Sequence, residues 1–409
     1  MKHSWLALAL VAACGDDQGV RTLDDAPPFD AEPGVASVTL LIGRVPIADR
    51  TVYFQGPDGA EIATVQTDAS GRASAVVPPG SSITVLDVLR VRFNRPGRNV
   101  VTVMGVEPGD ELTLRGDAGL VSSNLTFSYP AFGTPPPLYG VITNCNNNEA
   151  GMQLSSTLPV PRCGERIDAI LLVTDGLGGV EHYIAKPDQP FGDIDVTGET
   201  WTPTPTLETT YTNVPDVAGV SSGRFFTSPR GPLYTCRTPL VGTGPTRTSQ
   251  ISCPSFPEAI MLDLMAYQED RTLYEVAHLI TSDAPTIDVA NTRLRAPIRN
   301  LELDIATRAL TWEESATGIT PEFVRAHIES DDIDWHVLAP YTESRLVLPR
   351  LIGEGAAHDL APEDLLFPVL TVGTATGGYD AIRRFGPNYL DGITTEIPQL
   401  VVAELSAGE

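Results

Sequence analysis

The sequence predicts an all-β protein, a series of tandem β-sandwich modules (Ig-like or transthyretin-like) behind a disordered N-terminal tether. Three observations predict this. Apolar runs are short, about four to eight residues, and alternate with polar residues at period two. They are separated by turn chemistry, supplied by 36 Gly and 35 Pro among 409 residues. The hydrophobic fraction, 42%, exceeds what a disordered chain carries. At roughly 150 residues per domain the length implies about two or three domains. Asp and Glu number 52 against 27 Lys and Arg, a net charge of −25, which argues against a nucleic-acid partner. No apolar stretch reaches the roughly 18 residues of a membrane-spanning helix.

Residues 1–14 read as an export signal. Lys2 and His3 precede a short apolar run from Trp5 to Val11, followed by the small residues Ala12 and Ala13 and then Cys14. The small-small-Cys ending resembles the lipobox of bacterial lipoproteins, with Val11 standing where Leu is usual. That resemblance implies lipidation of Cys14, removal of residues 1–13 and a membrane anchor firmer than a single acyl chain. Gly15, rather than an acid, follows the cysteine, which under the same resemblance points to the outer membrane. Residues 15–36 contain six acids, one base (Arg21) and Pro27, Pro28 and Pro33, the composition of an extended tether.

Residues 37–115 read as short strands between strong turns. Val38–Ile42 is followed by Thr51–Gln55 and Glu61–Gln66, which flank Gly56-Pro57-Asp58-Gly59. A second turn, Thr67-Asp68-Ala69-Ser70-Gly71, precedes Ala73–Val77, and Pro78-Pro79-Gly80 leads into Ser82–Leu86. This order of strands and turns resembles the carboxypeptidase regulatory-like, transthyretin-like β-sandwich, with Glu107–Leu114 as its closing strand. In that family the module is a non-catalytic appendage of secreted and surface proteins.

Residues 116–283 form a second predicted β-rich module. Ile167–Val173 and Gly179–Ala185 read as a hairpin. Ala259–Tyr267 and Arg271–Thr281 suggest another, with a helix as the rival because Leu262, Met265 and Glu269 also fit a 3.6 period. Residues 284–409 form a third predicted sandwich, with strands at 299–305, 309–312, 334–338 and 345–348; Glu322–Ile328 fits a strand or a short helix. Residues 37–115 carry eight acids and eight bases, whereas 116–283 carry 18 against 8 and 284–409 carry 20 against 9. The distal part is therefore strongly acidic.

With Cys14 assigned to lipid, Cys145, Cys163, Cys236 and Cys253 remain, an even set for an oxidising compartment. Four cysteines allow three connectivities, and the local pairs Cys145–Cys163 and Cys236–Cys253 are the expected ones. A zinc site would want Cys-x-x-Cys knuckles or nearby histidines, and the sequence has neither.

The chemical motifs are weak. Gly219-Val220-Ser221-Ser222-Gly223 matches Gly-x-Ser-x-Gly, but Arg224–Pro229 has β character where a nucleophile elbow needs a helix. His3, His182, His278, His327, His336 and His358 are scattered, and no local metalloprotease pattern joins them. Asp193-x-Asp195-x-Thr197-Gly198 imitates half of a calcium loop but has Thr204 where the bidentate Glu belongs. Glu329-Ser330-Asp331-Asp332-Ile333-Asp334 is denser in carboxylates and could hold a cation with waters, with a solvated acidic loop as the favoured reading. No catalytic residue, metal ligand or cofactor is assigned. Arg90, Arg92, Arg95 and Arg98 are the one basic concentration, a candidate stripe for an anionic surface, with solvation of an edge strand as the alternative. Arg115-Gly116-Asp117 is a chance integrin tripeptide. Trp201, Trp312 and Trp335 are the aromatics that a sugar-binding platform would expose.

The sequence thus predicts a non-catalytic, exported envelope protein. Its partners would be the membrane, through the N-terminal lipid, and an envelope protein or polysaccharide. The competing reading is a secreted hydrolase whose first module is an accessory.

Overall fold

The computed structural model describes residues 34–406 apart from 43–44, 87–97, 117–121, 134–137, 163, 176–178, 215, 217–219, 229, 241–243, 270–271, 280–284, 290–297, 315–318, 330–332, 352, 362–365, 385 and 387–398. Cys14, the signal and residues 15–33 of the predicted tether lie outside the described residues. The described chain is nearly all-β, its strands arranged as four two-layered sandwiches.

The first sandwich comprises β1 (Gly34–Ile42), β2 (Val45–Pro46), β3 (Thr51–Gln55), β4 (Glu61–Gln66), β5 (Arg72–Val77), β6 (Ser81–Leu86), β7 (Arg98–Val106) and β8 (Glu111–Gly116). β1 begins three residues inside the range predicted as tether, because Gly34, Val35 and Ala36 pair with Val77, Val76 and Ala75. The turns behave as their residues dictate. Asp68 Oδ1 accepts from the backbone N–H groups of Ser70 and Arg72 at 2.8 and 3.0 Å. Gly71 has φ 74°, and a Cβ there would lie 2.5 Å from the Leu40 carbonyl oxygen, so only glycine fits. Ala36, Val38 and Leu40 from one layer meet Val52, Phe54, Ile83 and Val103 from the other in a closed core.

The second sandwich contains β9 (Ser122–Ser128), β10 (Leu138–Thr143), β11 (Asn146–Gly151), β12 (Ser155–Pro161), β13 (Arg166–Thr174), β14 (Val180–Pro190), β15 (Ile194–Asp195) and β16 (Thr202–Pro203). The third contains β17 (Thr206–Thr212), β18 (Ser221–Ser228), β19 (Gly231–Pro239), β20 (Arg247–Ser252), β21 (Ile260–Glu269), β22 (Thr272–Leu279) and β23 (Thr286–Asp288). The fourth contains β24 (Ile298–Asp304), β25 (Ala309–Glu314), β26 (Phe323–Glu329), β27 (Ile333–Pro340), β28 (Arg345–Val347), β29 (Phe367–Ala375), the one-turn helix α1 (Gly378–Ile382) and β30 (Gln399–Ser406). Residues 116–283, expected as one module, are thus divided between two sandwiches, and β23 carries the third past residue 283. Where strand and helix competed, β21, β22 and β26 are strands.

One connectivity recurs. In the first three sandwiches the opening strand pairs antiparallel with a middle strand and parallel with a late one: β1 with β5 and β8, β9 with β12 and β15, β17 with β20 and β23. The facing layer runs β4-β3-β6-β7, β11-β10-β13-β14 (extended by β16) and β19-β18-β21-β22. The fourth repeats it with β27-β26-β29-β30 facing β25 and β28, and β24 occupies the flank that a closing parallel strand takes elsewhere.

The sandwiches are fused through their edges. β22 pairs antiparallel with β30, and β27 pairs parallel with β7, so one 12-stranded sheet runs through the third, fourth and first sandwiches in that order. β7 is therefore interior to the sheet, which overturns the edge-strand explanation of the arginine stripe at Arg98. Trp335, fully buried, donates from Nε1 to Thr102 Oγ1 at 3.0 Å across this junction. Gln55 Nε2 donates to the Arg350 carbonyl at 2.8 Å, Arg98 Nη1 to the Asp359 carbonyl at 2.6 Å, and Arg383 Nη2 to Asp110 Oδ1 at 2.9 Å. The second sandwich meets the third beside the Cys236–Cys253 disulfide. Ile142, Ile170 and Leu172, on the outer face of β10 and β13, pack with Phe226, Leu233 and Ile251. Burial on both faces explains why β13 reads as a continuous apolar run.

Candidate functional site

The β26–β27 hairpin gathers titratable side chains that lie nine residues apart or less along the chain. Its register sets His327 opposite His336, Ile328 opposite Trp335 and Glu329 opposite Asp334. Side chains alternate faces along a strand. Ala326, Ile328, Trp335 and Val337 enter the core, leaving His327, Asp334 and His336 together on the other face. Pairing with β29 on one side and β7 on the other holds the hairpin in place.

Asp334 Oδ1 lies 2.8 Å from His327 Nε2 and 2.9 Å from His336 Nε2. The two imidazoles stack with centroids 4.1 Å apart and planes 11° apart. Arg325 Nη2 lies 3.4 Å from His336 Nδ1. All three are partly buried. Burial alone would raise the Asp334 carboxyl, but the hydrogen bonds from His327 and His336 hold it well below the usual carboxylate range. Burial depresses His336, and this outweighs the hydrogen bond to Asp334, which pulls the other way. A neutral His336 fits this arrangement: Nε2–H donates to Asp334 and Nδ1 accepts from Arg325. Two imidazoles and a carboxylate converging on one point can exchange protons or share a cation.

A second polar cluster lies inside the third sandwich. Arg224 and Asp263 are fully buried cross-strand partners, with Arg224 Nε 3.2 Å from Asp263 Oδ2. Asp263 also accepts from Thr209 Oγ1 at 2.9 Å and from the Tyr211 hydroxyl. Burial raises the Asp263 carboxyl against the opposing pull of Arg224. With Arg224 1% and Asp263 0% exposed, the cluster meets no solvent and serves the core.

The residues expected from sequence fall as follows. Cys236 and Cys253 are bonded, with Cα atoms 5.9 Å apart. Cys145 lies between β10 and β11 against the second core, and Cys163 lies outside the described residues. Arg90, Arg92 and Arg95 also lie outside them, while Arg98 is engaged with Asp359 at the first–fourth junction. Ser221 opens β18, paired with Pro239 and Ala266, so the Gly-x-Ser-x-Gly match sits in extended sheet and not on a strand-to-helix turn. Asp195 caps the local turn through Thr197, whose backbone N–H lowers its carboxyl, and Asp193 Oδ1 accepts from the Thr126 N–H at 2.6 Å. Trp201, Trp312 and Trp335 are at most 8% exposed, so a sugar-stacking platform of these three is ruled out.

No protein-family model and no curated protein matches the chain. Among solved structures, similarity is found to the Bacillus anthracis TIE protein, 11% identical over 63% of this chain and 50% of that one, TM-score 0.18. This chain therefore spans half the length of that protein. A Streptococcal ancillary pilin is 7% identical over 63% of this chain and 98% of its own, TM-score 0.16. A tetra-tandem repeat from the extending region of a large adhesion protein is 10% identical over 91% and 99%, TM-score 0.14. At scores this low, the fold rests on the strand pairing alone.

Proposed function

We propose that this chain is a non-catalytic, lipid-anchored protein of the bacterial cell envelope, where it serves as a structural or binding element on the outer membrane. The observation that carries this reading is the 12-stranded sheet through three sandwiches. Sheet edges that would offer a strand to other chains are spent on internal joints. Such a molecule is suited to hold surfaces at fixed relative positions. The Cys236–Cys253 disulfide supports an oxidising compartment. The lipobox resemblance at Cys14 supplies the anchor, and the acidic stretch that follows supplies a spacer. The partner is an envelope protein or polysaccharide.

Fractionation of expressing cells tests the anchor. Cys14→Ser should shift the protein from the membrane fraction to a soluble or unprocessed form. Full membrane retention of a cleaved Cys14→Ser protein would sink the reading.

A further inference from the structure

We propose that His327, Asp334 and His336 form a binding site for a divalent transition-metal ion of the zinc class. The ligand types fit: imidazole nitrogen and carboxylate oxygen are ordinary donors for such ions, and three protein ligands leave one position open to water or a partner's side chain. The geometry fits as well. One donor atom from each residue lies within 4.8 Å of the others. Tetrahedral coordination with metal–ligand bonds of about 2.0–2.2 Å sets donor atoms about 3.3 Å apart. The carboxylate-to-imidazole separations of 2.8 and 2.9 Å therefore need to open by only about half an ångström. A rotation of the stacked rings would supply that opening and aim both Nε2 lone pairs at one point.

The scaffold favours it. All three side chains stand on paired strands whose opposite face is locked by the fully buried Ile328 and Trp335. A site on such a support keeps its geometry better than one on a loop. The surrounding field attracts cations, since residues 284–409 carry 20 acids and 9 bases.

One group opposes the ion. Arg325 donates toward His336 Nδ1, which keeps the ring proton on Nε2, the atom a metal would use. Binding moves that proton to Nδ1, turns the guanidinium away from the ring and brings two positive charges close together. Arg325 therefore weakens the site without contributing a ligand.

The test is calorimetric titration of Zn²⁺ into the chelator-treated full chain, repeated with Co²⁺ while following its visible ligand-field absorption. The expected result is one saturable Zn²⁺ site per chain and a tetrahedral Co²⁺ spectrum. The Asp334→Asn and His336→Ala substitutions together should weaken binding at least tenfold, and Arg325→Gln should tighten it severalfold. Because the double variant could fold poorly, histidine ring NMR of the unaltered chain provides a second readout. There Zn²⁺ should shift the His327 and His336 resonances and leave His182 in place. Absence of saturable binding, survival of binding in a folded double variant, or shifts at His182 alone would overturn the proposal.

Discussion

The two kinds of junction between sandwiches differ in what holds them. The first and fourth meet edge to edge: β7 and β27 share a backbone ladder, Trp335 fills the space beneath it, and Tyr379 donates to the carbonyl oxygens of Met104 and Leu338. The second and third meet through the outer face of β10 and β13, packed beside the Cys236–Cys253 disulfide, and next to that contact charge takes over. Arg230 reaches Asp168 at 2.9 Å and Asp188, and Asp188 is also held by Arg166 at 2.6 Å. An edge joint is directional, and the ion pair it carries, Arg383–Asp110, is mostly buried, so it fixes orientation and resists salt. A charged rim gives way to ionic strength where it is exposed. The chain therefore uses the edge joint both between the first and fourth sandwiches, far apart in sequence, and between the consecutive third and fourth, and the softer contact between the second and third.

The largest effect should come from the edge joint. Trp335→Ala removes a fully buried indole and its bond to Thr102. It should cost about 3–5 kcal/mol in urea unfolding and loosen the first and fourth sandwiches together. Loosening of the fourth alone would show that the ladder does not couple them.

Arg230→Ala should cost less, about 1–3 kcal/mol, because it removes charge-assisted bonds from the fully buried Asp168. Its effect should shrink in high salt as the half-exposed Asp188 is screened. A stability loss unchanged between low and high salt would remove the contrast between the joints.

The smallest effect concerns pH. Burial pushes the Tyr379 hydroxyl far above its ordinary value, so the folded state holds the neutral phenol. A raised folded-state value contributes stability that is complete below the unfolded value of about 10 and is lost as pH rises beyond it. Tyr379→Phe should cost about 1 kcal/mol near neutrality and flatten part of the alkaline loss. Chemical unfolding at about pH 8 and about pH 11 measures both.

Much of this architecture was legible in the sequence, for reasons visible in particular elements. Glu61–Gln66 and Arg72–Val77 alternate cleanly between turns that glycine and aspartate dictate, so β4 and β5 could be read directly. The Cys236–Cys253 pair followed from local spacing. The fourfold repeat was hidden because the recurring element is a pairing order, and the four sandwiches share no obvious residue pattern that would expose it. The edge joint was hidden because a parallel ladder between residues 98–103 and 333–338 is a long-range choice that strand patterns do not encode. The His327–Asp334–His336 cluster was within reach. His327 and His336 stand symmetrically about Asp331-Asp332, so a hairpin centred there sets them opposite each other. That inference needed Glu322–Ile328 to be a strand, and its apolar spacing suited a helix equally well. Whether Trp201, Trp312 and Trp335 are exposed was not legible for a simpler reason: composition does not tell a buried indole from an exposed one.

Native-state hydrogen exchange in rising denaturant tests the fusion of first and fourth sandwiches most directly. Amides in residues 98–106 and 333–340 should lose protection on one shared dependence, with residues 122–162 following a different one. If residues 34–116 open as an independent unit while every amide of 333–340 stays protected, the two sandwiches are separate and the account fails.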